Sequence, residues 1–525
     1  MCFAVRSLYQ RFNIKARQAA LLLLAAPATV VLAQTDAATT GNDPFADLDF
    51  ESGGQDNLEF DNLEFDDSLF ADEDLFDAAS DNPSTFRDAF RYQLTQQWVG
   101  HLNRHRFDAV TEADATPPVA AGHRPHHTEV NRLAGHIRYQ DAFAGGWLAQ
   151  ASAWGRLYLD GDYEHDNPAR SNTEWRLNEF FLQHSGDNNS ITGGRQTVVW
   201  GETIGLSVLD VVNTTEYRDL TVIDLEDARL NQWMLSWDRF SENGNFSSFI
   251  NLYPEFNPLP IDGSPLFPGA PLRLSSFYRD DAIFEIGTRW QRHFTGSDLS
   301  LMAARLYENN LLHLPDPDSP GQSQPVINDY LLLGGSINRA IDTLLLTLDV
   351  AWSRQIQVAA VTPALFVPES LDPNDQKGKV PPLGEPQLPD NMASLHRQYA
   401  DLIGLSAGLE YAITPLRQLS VGLRAEKLVN LPDGNVIIVD DREDVRADIL
   451  LRYSHVVWQE VLDLAITAQA DLKGNASLLN LSAEYQWNDN LTTTAQLIAT
   501  HGDPGTNYGF LDEDLRLGLT MTLSF

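Results

Sequence analysis

From about Phe90 to the C-terminus, apolar side chains recur at every second position in segments of roughly 10 residues. That is the period at which a strand turns successive side chains to opposite faces. Trp147, Ala149, Ala151, Ala153, Leu157 and Leu159 alternate with Gln150, Ser152, Arg156 and Asp160. Leu462, Leu464, Ile466, Ala468 and Ala470 alternate with Asp463, Thr467, Gln469 and Asp471, and Leu515, Leu517, Leu519, Met521, Leu523 and Phe525 with Arg516, Thr520, Thr522 and Ser524. One face is lipid-like and the other polar, a pattern that a soluble sandwich would share.

The connections separate the two. Strands are expected near 89–98, 131–141, 147–159, 175–184, 190–200, 232–240, 245–253, 282–294, 298–308, 327–339, 342–354, 399–411, 416–428, 443–454, 461–472, 476–487, 491–500 and 512–525. Connections after even strands are short, as at Gly145-Gly146, Gly186-Asp187-Asn188 and Asn488-Asp489-Asn490. Those after odd strands are mostly long: 99–130, 160–174, 201–231, 254–281, 309–326, 355–398, 429–442 and 501–511, with 473–475 the short exception. Short periplasmic turns facing long external loops are the asymmetry of a bacterial outer-membrane barrel. The expected fold is therefore all-β, a transmembrane antiparallel β-barrel over 86–525 of 18 strands, with 16 as the alternative count. Closure follows from chemistry, because hydrocarbon offers no partner for the unpaired edges of an open sheet.

Aromatic residues at segment ends (Trp98, Tyr139, Trp147, Trp200, Trp290, Trp352, Tyr411, Trp487) suit interfacial girdles. The terminal aromatic Phe525, ending an amphipathic strand, looks like the signal by which such barrels engage their assembly machinery.

The start of the chain differs. Arg6, Arg11, Lys15 and Arg17 precede an apolar run from Ala19 to Ala33, which reads as a secretory signal peptide over 1–33, too short to span a bilayer. The single cysteine, Cys2, lies inside it, so disulfides and thiol chemistry are excluded from the remainder. Residues 34–85 hold sixteen Asp or Glu and no Lys or Arg, with a five-residue near-repeat at Asp56–Phe60, Asp61–Phe65 and Asp66–Phe70. Such dense like charge opposes collapse, so a disordered acidic periplasmic arm is expected, either a solvated leader or a docking segment for a periplasmic or inner-membrane partner. The formal charge of -37 makes nucleic acid an unsuitable partner. Outer-membrane lipid and lipopolysaccharide are the expected surroundings.

Polar residues on the inward phase mix signs: Arg156, Glu285, Arg289, Arg424, Glu426, Arg446, Asp448, Arg452, Glu484 and Arg516 are the expected lumen lining. A water-filled pore needs such a wall, and opposed charges on it can select solutes, although any single one serves equally well as solvated bracing. The long connection 201–231 sets Glu202, Asp210, Glu216, Arg218, Asp219 and Asp224 among apolar Ile204, Leu206, Val208, Val211 and Val212. An external loop would be more uniformly polar. The mixture suits a segment folded into the lumen as a constriction.

The stretch Gly194 to Asn213 opens with Arg195, Gln196, Trp200 and Gly201, and here the chain resembles the Arg-Gln-x-x-x-Trp-Gly segment of porin-like outer-membrane proteins related to alginate-export barrels. The resemblance implies passage of a solute or polymer. His101, His105, His123, His126, His127 and His136 gather near the first long loop, but interleaved arginines favour a solvated loop over a metal site. No nucleophile elbow or metalloprotease motif is present, and neither an enzyme nor a cofactor is expected. The functional expectation is a passive pore for small hydrophilic or amphiphilic solutes, with an export accessory coupled through the acidic arm, or a surface receptor, as alternatives.

Overall fold

The computed structural model describes residues 89–103, 128–165, 171–216, 218, 228–259, 273–274, 282–316, 322–361, 395–431, 437–438, 442, 445–473, 476–503, 508, 511 and 513–525. Residues 1–33, expected as a signal peptide, and 34–85, expected as an acidic arm, lie outside them.

Eighteen strands form one antiparallel ring: β1 Phe90–Asn103, β2 Thr128–Phe143, β3 Trp147–Tyr158, β4 Thr173–Ser185, β5 Asn189–Gln196, β6 Gln232–Ser241, β7 Gly244–Tyr253, β8 Glu285–Phe294, β9 Ser297–Tyr307, β10 Asp329–Ile341, β11 Leu344–Val361, β12 Leu395–Thr414, β13 Arg417–Val429, β14 Arg446–Val457, β15 Leu462–Asp471, β16 Ala476–Asn488, β17 Leu491–Gly502 and β18 Asp514–Ser524. Each strand pairs with its neighbours in sequence, and β1 pairs with β18 from Gln93↔Ser524 to His101↔Arg516, which closes the ring. Beyond β18 the Phe525 N–H donates to the Tyr92 carbonyl at 2.8 Å and Tyr92 N–H to the Phe525 carbonyl at 3.1 Å. The expected count of 18 and the alternation of connections are therefore what the chain adopts. Short pairings such as Thr214–Thr215 with Arg229–Leu230 decorate the long-connection end.

The outer face is built by the alternating positions. Leu346, Leu348, Val350, Leu405, Ile466, Leu519 and Met521 are all exposed, an apolar surface that water would not tolerate and lipid would. Trp147, Trp290, Tyr411 and Trp487 stand exposed near the short turns, as girdle residues do. Trp200 is the exception among the expected girdle residues: at 2% exposure it lies inside the barrel. The reason is local. Strand β5, expected to run to residue 200, stops at Gln196, and the apolar run from Val198 to Trp200 leaves the wall for the interior.

That interior holds the main apolar core. Trp200, Val208, Leu209 and Val212 pack with inward-facing Met234, Phe249, Met302, Leu306 and Leu332. The core is thus a seam between an inward segment and the β6–β13 wall.

Candidate constriction inside the barrel

The inward segment is launched by the Arg195 to Gly201 stretch. Arg195 closes a bidentate pair on Glu255, with nitrogen to oxygen distances of 2.5 and 2.9 Å, and its Nε donates to the Leu177 carbonyl at 2.9 Å. Gln196 donates to the carbonyls of Thr192 and Met234, both at 3.2 Å, and accepts from the Ser236 hydroxyl. These bonds replace the ladder partners lost where the strand ends. Trp200 then packs on Phe249, ring centroids 5.3 Å apart, above Gly287.

Past Trp200 the chain crosses the inner wall and is fastened there by Asp349 of β11, which is 0% exposed. Its Oδ2 accepts from the Glu202 N–H at 3.3 Å, the Thr203 N–H at 3.1 Å, the Ser207 hydroxyl at 2.7 Å and the Ser406 hydroxyl at 3.4 Å. Ser406 also accepts from the Val208 N–H at 3.2 Å. Four donors on one carboxylate oxygen offset the cost of burying its charge. Gly201 has a matching role, because a Cβ there would overlap the Ser207 side chain that reaches Asp349.

Glycines on the wall make room for the segment. Val208 lies over Gly404, 3.0 Å from where a Cβ would stand, and the Ile204 carbonyl is equally near Gly422. At Gly334 a Cβ would overlap Leu209. The seat is therefore a surface of bare backbone on β10, β12 and β13, complementary to the apolar face of residues 204–209. The return limb is held by Asn309, whose Nδ2 donates to the carbonyls of Val211 at 2.9 Å and Asn213 at 2.8 Å.

Beyond it the segment crosses to the other wall. Arg218 Nη2 donates to Glu216 at 2.7 Å and to Glu174 of β4 at 3.2 Å, and Nη1 stands 3.6 Å from Glu164. Burial alone would push the Glu216 carboxyl up, but the hydrogen bonds and charge of Arg218 outweigh it and hold the group below the usual carboxylate range. The same pairing keeps Arg218 charged although burial opposes it.

The expected constriction residues thus separate into three places. Glu202 stays at the β10–β11 wall, 3.5 Å from Asn338; Asp210 pairs with Arg229 at 2.9 Å; Glu216 and Arg218 dock together against β4. Asp219 and Asp224 lie outside the described residues.

Of the expected lumen lining, Glu484 is exposed and accepts from Thr494 at 3.1 Å. Arg156 stacks over Trp154 at 4.2 Å. Arg289 donates to Gln291 at 2.6 Å and to the Val199 carbonyl at 3.3 Å. Arg424 and Arg446 converge on Asp448, at 2.8 and 3.4 Å, with Glu426 opposite Arg446 in register. Arg452 stands opposite Ser420 and Thr467 on the same inner face.

Two others are buried. Glu285 is taken up by Asn251 and by the Tyr307 N–H, both at 2.8 Å. Arg516 joins Glu129 and Asp514, with His101 3.4 Å from each carboxylate, in an ionic cluster that bridges β1, β2 and β18 at the ring seam. Asp349, Ser406 and the seat glycines escaped the sequence reading, although Gly at successive inward positions of neighbouring strands was a signal to be found.

Among solved structures, the chain overlaps OccAB4 of Acinetobacter baumannii at 10% identity over 83% of this chain and 97% of that one, TM-score 0.45. OccK1 (OpdK) of Pseudomonas aeruginosa overlaps at 8% identity over 83% and 98%, TM-score 0.45. OmpF of Salmonella typhi, solved in complex with daunomycin, overlaps at 10% over 83% and 97%, TM-score 0.37. None of the three is named as an alginate-export barrel. No protein-family profile and no curated protein sequence matches the chain.

Proposed function

We propose that this chain is an outer-membrane channel for passive passage of small hydrophilic or amphiphilic solutes, narrowed by the segment from Trp200 to Arg218. The observation that carries the reading is the unequal covering of the inner wall around the ring. Under the segment, Asp349, Ser406, Thr347 and Leu332 are buried. On β16 and β17, away from the seat, Glu484 and Gln486 are exposed and Thr492, Thr494 and Gln496 half-buried, a polar stretch of wall that the segment leaves uncovered. A ring of 18 strands is wider than its own side chains can fill, so that space suits water.

Charge sets the expected preference. The chain is strongly acidic, with a formal charge of -37, and acidic mouths concentrate cations. In planar bilayers with a salt gradient, the reversal potential should show cation selectivity. Liposome swelling should proceed with small neutral sugars and fall off as solute size rises. Anion preference would refute the electrostatic part of the reading, and absence of conductance would refute the channel itself.

A further inference from the structure

Outward-facing cations are not spread evenly around the barrel. Every exposed Lys or Arg on the outward phase of the described strands belongs to β6–β13, and none to β14–β18 or β1–β5, where the outward Arg195 is buried on Glu255. On the edge bearing the long connections, three of them end an apolar run on alternate strands. Arg305 follows Leu299, Leu301 and Ala303 on β9; Arg354 follows Leu346, Leu348, Val350 and Trp352 on β11; Lys427 follows Leu419, Val421, Leu423 and Ala425 on β13.

The register places them side by side. Arg305 and Arg354 both flank Leu331 of β10, and Lys427 and Trp352 both flank Ile403 of β12. Neighbouring strands lie about 4.8 Å apart, so successive cations are roughly 10 Å from one another. Arg305 shares its charge with Asp329 at 2.8 Å, whereas Arg354 and Lys427 have no carboxylate partner among the described residues. A cation that ends an apolar belt sits at headgroup depth, and guanidinium groups there match phosphate oxygens.

We propose that the β9–β13 edge, through Arg305, Arg354 and Lys427, binds the phosphate groups of the outer-leaflet glycolipid. The proposal rests on outer-membrane placement and is independent of conduction. A row of cations, two of them without a carboxylate partner among the described residues, in a chain of formal charge -37 runs against the surrounding field, which suits an anionic ligand supplied by the bilayer and in contact with the belt.

The test uses purified full-length barrel in neutral detergent, titrated with bisphosphorylated lipid A, with its dephosphorylated form and with phosphatidylglycerol, and read by native mass spectrometry. Bisphosphorylated lipid A should bind best. At about 1 kcal/mol for each cation at a headgroup surface, the triple variant R305Q/R354Q/K427Q should weaken it about a hundredfold. The single variants R354Q and K427Q should each weaken it about fivefold, which keeps the test available if the triple variant fails to fold. Substituting the opposite edge as R239Q/R292Q/R339Q should leave lipid A binding unchanged. Equal affinity for the dephosphorylated form or for phosphatidylglycerol, or an unaffected triple variant, would overturn the proposal. Conductance in neutral bilayers, measured on the same samples, reports separately on the channel.

Discussion

At the scale of single residues, the inner wall is governed by a few groups whose neighbours outnumber them. Asp349 alone receives the two N–H groups and the serine hydroxyl that pin residues 202–207 to the wall. Replacing it with Ala removes a charged acceptor and leaves buried donors unmet, a loss of about 3 kcal/mol in segment attachment. D349A should show larger and noisier single-channel conductance than the parent, while D349N, which keeps an acceptor oxygen, should lie between them; identical traces would show that Asp349 does not hold the constriction. Arg218 allows a second expectation, with a pH dependence. Because the Glu216 carboxyl is held low, its contribution is complete above the ordinary carboxylate range and lost only as pH falls through the lowered value. Conductance should therefore be flat from pH 7 to pH 5. In R218Q the carboxyl stays buried without that guanidinium, costing about 3 kcal/mol, and burial then raises its affinity for a proton. That variant should melt earlier and become pH-sensitive in the same window, as thermal unfolding and conductance on both sides of it would show.

At the scale of elements, the strands were legible because one physical rule governs nearly all of them. A residue on a barrel strand faces either lipid or lumen, so the alternation of Leu346, Leu348 and Val350 with Thr347 and Asp349 states both the element and its register. The same rule hides the site. Asp349 occupies an inward position like Thr347 or Ser353, and nothing in the alternation distinguishes an anchor from a solvated lining group. Mixed composition pointed to residues 201–231 as an inward segment, since Leu206, Val208 and Val212 would be costly on an external loop, and the described part of it is 201–216, 218 and 228–231. It could not show that the segment starts at the end of β5, because Val198 to Trp200 extends a plausible strand until the β8 wall offers Gly287 opposite the indole. Nor could it show that Glu216 and Arg218 would leave the others for β4, a choice made by Glu164 and Glu174 far away in sequence.

At the scale of the whole molecule, the barrel and residues 34–85 carry separate predictions. Deleting residues 34–85 should leave conductance and thermal unfolding of the assembled barrel unchanged, since the described ring closes through β1 and β18 without them. If the arm docks a periplasmic partner, the deletion should abolish that association in pull-downs from the periplasmic fraction while the channel persists; a loss of conductance would instead make the arm part of the pore. The seam has a wider implication. Phe525 is hydrogen-bonded to Tyr92, so the end of the ring lies against its beginning, and the seam takes its place beside the eight short turns at that end of the barrel. Viewed in this way the ring has no intrinsic first strand: where it is cut is a record of translation order, and a circular permutant opened at another short turn would present the same lumen and the same lipid face.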